Sequence, residues 1–408
     1  MRNFPAFLNA SPSSFHAAAE VSNMLTGFRQ QDETQPWDAS PGGHYLIRGG
    51  AIVAWWIPES PRHAFRIVGS HTDSPGFMLK PTPEATVAHW QQAQVEVYGS
   101  PILASWFDRE LQFAGRIVLR DGTETLVATP PAFRIPHLAI HLSRENNLTL
   151  DKQQHMQPIF AAREGAGGVL DLLAGAVGVD KHDIAAWDLI TRDAQPARVF
   201  GMEDAYIAAG RLDNLSSVYA SARAFVQATA DATDILVLAC FDHEEIGSAT
   251  TSGAAGPLLQ DVLTRTAYAL GADEDALRRM YARSSCVSAD AAHAVHPNYV
   301  QKYDPATGAQ MNAGPVLKIN ANQRYATTAP TSALWLRACA AADVPVQRFV
   351  SRNDVPCGST IGPITATRLG IPTVDVGVPL LSMHSARELA GVRDMEWFTS
   401  ALHAYFVD

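Results

Sequence analysis

Cysteine is scarce in this chain: four in 408 residues, at Cys240, Cys286, Cys339 and Cys357. None forms a Cys-x-x-Cys pair, so no disulfide framework follows. Cys240 and Cys286 fall inside apolar runs and are expected as small buried thiols. Positive charge is also in short supply. Lys and Arg total 31 against 41 Asp and Glu, a net charge of −10, and no window holds a basic block. Phosphate binding needs clustered cations, so nucleic acid is excluded as a partner. No stretch reaches ~18 apolar residues, the length that spans a bilayer. The opening MRNFPAFLNASPSSFH has no apolar core of the kind a signal peptide needs. These absences predict no membrane association and a cytoplasmic location. Internal repeats and low-complexity tracts are absent as well.

What is present suits an ordinary soluble globular protein, with 47% hydrophobic and 18% charged residues. The length suffices for two structural units. Ser11-Pro12-Ser13-Ser14 reads as a helix start, and residues 15–28 as an Ala-rich amphipathic helix. Residues 44–48 and 51–56 read as a hairpin around Gly49-Gly50, and residues 65–68 as a third strand. From about residue 80 the strands turn alternating and antiparallel in character, at 94–98, 115–119 and 124–128. This stretch reads as a domain inserted into the first. From residue 211 helices (215–228, 258–270, 329–342, 362–369, 396–405) alternate with strands (235–241, 286–288, 347–350, 373–376). The predicted fold is therefore α/β, a mixed sheet with helices on both faces. The expected units are 1–79 and 206–408 for the first domain and 80–205 for the insert.

The chemistry gathers in six residues: His71, Asp213, Glu244, Glu245, Asp290 and His384. Each follows a short apolar run in a loop rich in Gly, Ser or Pro. Zinc and similar ions take imidazole nitrogen and carboxylate oxygen. Two ions ~3.5–4 Å apart need a carboxylate between them and a further one free as base. These six can supply one bridge, two further ligands per ion and that base. In Gly69-Ser70-His71-Thr72-Asp73, positions i and i+2 of an extended segment point the same way, so Asp73 can support His71. Asp213 enters a helix, where the plain alternative is an N-cap. Adjacent Glu244 and Glu245 would repel in a buried cleft unless a cation offsets them. Glu245 is assigned to metal and Glu244 to the proton, with the swap left open. His243 reads as structural. His293 and His296 follow Asp290 closely and stay open as alternative ligands. All five apolar runs present their polar residue at the C-terminal end, where open α/β sheets bind ligands.

Gly69-Ser70-His71-Thr72-Asp73-Ser74-Pro75, Arg211-Leu212-Asp213-Asn214-Leu215, Asp242-His243-Glu244-Glu245-Ile246-Gly247-Ser248, Ser288-Ala289-Asp290 with His293-Ala294-Val295-His296-Pro297-Asn298, and Met383-His384-Ser385-Ala386-Arg387-Glu388 together resemble the M18 metallopeptidases, the aspartyl aminopeptidase family. The resemblance runs almost end to end. It implies a two-zinc catalytic domain interrupted by a mainly β dimerisation domain. It also implies dimers assembled into a dodecamer, and removal of an N-terminal residue, preferably Asp or Glu, from peptides. One zinc position would also accept Mn²⁺ or Co²⁺. His71, Asp213 and Asp290 would hold one metal, and Asp213, Glu245 and His384 the other. Glu244 would be the base, with Asp73 supporting His71. Lys318 and Tyr325 would contact the substrate's acidic side chain, and His141 would reach a neighbouring subunit's site. The chain is short for the family near residues 28–37 and 148–155. The rival readings are a broader aminopeptidase, a dipeptidase or a deacylase on the same metal pair, and a non-catalytic metal-containing oligomeric scaffold.

Overall fold

The structure, a computed structural model, describes residues 3–144, 148–162, 165 and 167–408. A short helix, Phe4–Ala10, is capped by Asn3, and Ser13 caps the helix Ser14–Met24. The helix expected over 15–28 stops at Met24. Gly27, at φ +82°, turns the chain, and Arg29–Gln30 then joins the edge of a sheet.

That sheet has nine strands. In spatial order they are Arg29–Gln30, Gly42–Arg48, Ala51–Ile57, Ile235–Phe241, Phe65–His71, Ser285–Ala289, Thr373–Gly377, Val316–Ile319 and Gln347–Val350. The hairpin around Gly49-Gly50 forms as expected, with Arg48 opposite Ala51. The four central strands, from Ile235–Phe241 to Thr373–Gly377, run parallel. Along Ile235–Phe241, Leu236, Leu238 and Cys240 enter one core, while Ile235, Val237, Ala239 and Phe241 enter another. Burial on both faces explains why this strand is an unbroken apolar run. Helices Leu212–Ala228 and Val392–Val407 cover the first face, and Leu258–Ala269 and Glu274–Arg283 the second. The result is the mixed-sheet α/β/α arrangement read from the sequence.

Residues 76–193 contain a six-stranded antiparallel sheet with its own core around Phe77, Phe113, Ile117 and Leu189. Helix Val169–Val177 packs into that core. A third sheet, of five strands, joins Arg198–Phe200, Tyr206–Ala209, Glu388–Gly391, Pro379–Leu381 and Ala292–His293. No described helix is long and apolar enough to cross a membrane.

Candidate metal centre

Parallel strands end at a common edge, and there the backbone leaves the ladder. His71 is the last residue of its strand, Glu244 and Glu245 begin a short turn after Phe241, and Asp290 follows Ala289. Asp213 and His384 arrive differently. Asp213 follows Tyr206–Ala209 and His384 follows Pro379–Leu381, both strands of the five-stranded sheet. A short helix-entry turn and a left-handed residue, His384 at φ +67°, carry them back over the edge of the main sheet.

The six side chains converge. His71 Nε2 lies 3.4 Å from Asp213 Oδ1 and 3.4 Å from Asp290 Oδ1. His384 Nε2 lies 3.3 Å from Asp213 Oδ2 and 3.4 Å from Glu245 Oε2. Donor atoms of His71, Asp213 and Asp290 all fall within 4.8 Å of one another, as do those of Asp213, Glu245 and His384. Asp213 is common to both triads and turns one oxygen to each histidine. It does not act as a helix cap: its backbone N–H donates to Glu388, and Oδ1 has no hydrogen-bond partner among the described residues. Glu244 stands at the side, with Oε2 4.0 Å from His71 Nε2, and is more exposed than Glu245.

The electrostatics are those of a site short of positive charge. Burial, and then Asp213, push the Glu245 carboxyl well above its usual range. Burial also raises Glu244 to about 7, with Asp290, Asp213 and Asp73 adding to it against the pull of His71. For His71, burial opposes protonation, yet Asp213, Asp290 and Asp73 outweigh it and hold the imidazole well above its usual value. His384 is raised to about 10 by Asp213 and Glu245 despite its burial. Asp213 Oδ1 and Glu245 Oε1 are both buried without a hydrogen-bond partner among the described residues. Such atoms are costly unless something absent from the protein chain satisfies them. Carboxylate oxygens and imidazole nitrogens facing one another are the donor set of zinc, which would displace the imidazole protons. The residues fit two such ions.

Surrounding groups lock the donors in place. Asp73 accepts the backbone N–H groups of Glu244 (3.0 Å) and Glu245 (3.1 Å) and the Tyr98 hydroxyl (2.7 Å). Its Oδ1 lies 3.4 Å from His71 Nδ1. Asp73 therefore fixes both glutamates through its carboxylate and the His71 ring through its backbone carbonyl, 3.1 Å from Nδ1. Glu388 does the same for the other two arrivals, accepting the N–H groups of Asp213 (3.0 Å) and His384 (2.7 Å). Sequence reading missed Glu388 and Tyr98 as site residues. Glu388 stood in a quoted motif without a role, and Tyr98 ends an antiparallel strand with no local signal. The Ser100 carbonyl, 3.0 Å from His384 Nδ1, orients the second ring.

The remaining candidates fall at graded distances. Lys318 is 1% exposed, which excludes an edge-strand lysine reaching for water. Its ammonium donates to Asp290 Oδ2 (3.3 Å) and the Ala291 carbonyl (3.1 Å), 5.0 Å from the centre of the Tyr325 ring. His243 turns away to Thr250 Oγ1. His293 and His296 enter no ligand group among the described residues. His141 is on an exposed segment and enters no ligand group among the described residues.

Buried and half-buried imidazoles and carboxylates in overlapping ligand groups, two of which share Asp213, at the carboxyl edge of an α/β sheet, define a metal-dependent hydrolase. A family model described as aminopeptidase I zinc metalloprotease (M18) matches residues 7–406. The chain belongs to the M18 family of zinc aminopeptidases. A probable M18 family aminopeptidase 2 of Streptomyces coelicolor is 46% identical over 412 residues, covering 98% of this chain and 95% of that one. Among solved structures, the Ape4 and Nbr1 complex superposes with a TM-score of 0.95 at 34% identity, over 99% of this chain and 84% of its own. The dodecamer of mApe1 from S. cerevisiae superposes at 0.87 and 26% identity, over 99% and 95%.

Proposed function

We propose that this aminopeptidase uses two zinc ions to remove an N-terminal Asp or Glu from peptides. The observation that carries the two-metal reading is the pair of triads sharing Asp213. His71 and Asp290 would complete one position, Glu245 and His384 the other, and one of the two would also accept Mn²⁺ or Co²⁺. The chemistry supplied by zinc there is Lewis acidity, which makes water acidic enough to attack near neutral pH and polarises the scissile carbonyl.

The chain's own residues do the rest. Glu244 takes the proton of the attacking water and hands it to the leaving amine. Its greater exposure than Glu245 supports this division, because a base must reach water while a ligand need not. Asp73 keeps the base in position through the Glu244 N–H. Lys318 has three donors, two of them committed to Asp290 and Ala291. The third, beside Tyr325, is free to hold a substrate's side-chain carboxylate. Residues 80–205 form the dimerisation unit, and His141 is offered to a second subunit of a dodecamer built from dimers. The exposed Leu138, Ile140 and Leu142 flanking it support that reading.

The test is turnover of Asp, Glu, Ala and Leu anilides by the zinc-loaded protein, with metal content measured alongside. Asp and Glu should be cleaved fastest. In Lys318→Met the ratio of Asp to Leu turnover should collapse, beyond any loss common to all four substrates through Asp290. Equal rates on all four substrates in the unmodified protein would remove the acidic preference. Two bound zinc ions with no turnover of any would favour a scaffold.

A further inference from the structure

Behind the metal centre lies a cavity of about 440 Å³. It is bounded by the N-terminus of helix Ser14–Met24, by the antiparallel strand Ile184–Asp193, and by the far sides of Asp73 and Glu388. None of the six metal-centre residues lines it, so it is a separate space of ligand-pocket size. Four arginines and five acidic residues do line it, and nearly all are already committed. Arg48 pairs with Glu33 and Asp261, and Arg116 with Asp188 and Glu124. Asp193 is 2.8 Å from Arg109 and 3.9 Å from Arg387. Asp242 accepts the His243 N–H. Asp73 and Glu388 are bound to the metal centre's own groups.

Two cations are left over. Arg192 donates to the Gln112 side-chain carbonyl (2.7 Å) and the Asn9 carbonyl (3.3 Å). Arg211 donates to the carbonyls of Ser11 (3.0 Å) and Leu8 (3.1 Å). All four acceptors are neutral, and among the described residues neither guanidinium has an ion-pair partner. Their charge is felt at His16, next to both: burial first, then Arg192 and Arg211, push its imidazole down to about 4. Two guanidiniums that repel each other beside a cavity, with Asp193 and Glu388 acting on them only from beyond ion-pair distance, are expensive, and an anion between them would offset the cost. The N-terminus of an 11-residue helix, pointing at the same space, adds to the positive potential.

We propose that this cavity is a binding site for a small anion, a carboxylate or phosphate, held by Arg192 and Arg211. It is distinct from the metal centre and does not depend on the catalytic reading. Calorimetric titration of the zinc-loaded protein with inorganic phosphate and with succinate tests it. At least one should bind saturably at millimolar concentration, and which one does identifies the class. Arg192→Leu should weaken that binding about tenfold or more, since a charge-assisted hydrogen bond is lost. Arg192→Lys should retain part of it. Arg48→Gln, at an arginine already paired, should stay within about threefold of the parent. If Arg192→Leu fails to fold, Arg192→Gln carries the same comparison, because it keeps a donor for the Asn9 carbonyl. No saturable binding of either anion would overturn the proposal. So would equal affinity in the parent and the Arg192 variants, which would put the anion on the zinc instead.

Discussion

Asp213 turns Oδ1 to His71 and Oδ2 to His384, so it is the one side chain common to both triads. Asp213→Ala should therefore empty both metal positions, whereas Asp290→Ala or His384→Ala should each weaken mainly one. Elemental analysis after dialysis decides this, and selective loss of a single ion from Asp213→Ala would sink the bridging role. Glu244→Gln should behave in the opposite way. Both metals should remain, and kcat should fall by about 10²–10⁴-fold, the usual contribution of a general base. Loss of metal from Glu244→Gln would mean that the two glutamates exchange roles. Near-normal turnover would mean that neither sequence spacing nor exposure found the base.

Strand ends deliver the donors, and the packing around those ends sets their positions. Gly377 closes the strand Thr373–Gly377 directly against Asp290, where an added Cβ would stand 1.7 Å from the Asp290 carbonyl oxygen. That neighbour is backbone and cannot swing aside. Gly377→Ala should cost about 1–3 kcal/mol in a urea melt, as overpacking does. It should also loosen metal at the position Asp290 serves, because the carbonyl that must move belongs to that residue. Unchanged stability with two tightly held ions would show that the loop relaxes freely. Element types were largely readable from the sequence because the buried parallel strands are unbroken apolar runs and the helices are periodic. Boundaries were less so. The first long helix ends early because a glycine in the left-handed region and an edge pairing compete with helix propensity, and a local pattern cannot weigh that competition.

Across the whole molecule, a segment of the antiparallel unit is left uncovered. Leu138, Ile140 and Leu142 are 62%, 67% and 74% exposed, alternating along the chain beside His141. Three apolar side chains in such a row are costly to leave in water and suit an interface. Ile140→Glu should shift the assembly to smaller species on sizing while each subunit stays folded by circular dichroism. His141→Phe should lower activity with metal content and assembly size unchanged. When its subunits are exchanged with those of Glu244→Gln, some turnover should return, because a hybrid site takes its base from one chain and its histidine from the other. Demonstrated exchange without recovery would confine His141 to its own chain.

The sequence by itself determined the residue types of the candidate donor set and their order along the chain. Residue types with zinc-ligating chemistry, each placed after an apolar run, are a local pattern, and local patterns survive in one dimension. It also determined the α/β class and the separate character of the antiparallel stretch. Only the tertiary structure decided that Asp213 and His384 come from a second sheet, since which strands pair depends on contacts far apart in sequence. It alone showed Asp73 and Glu388 each holding two backbone N–H groups of the centre. It alone gave Arg192 and Arg211 neutral hydrogen-bond acceptors and, among the described residues, no ion pair. Whether a charge is paired depends on every side chain folded around it, and no spacing in the sequence records that.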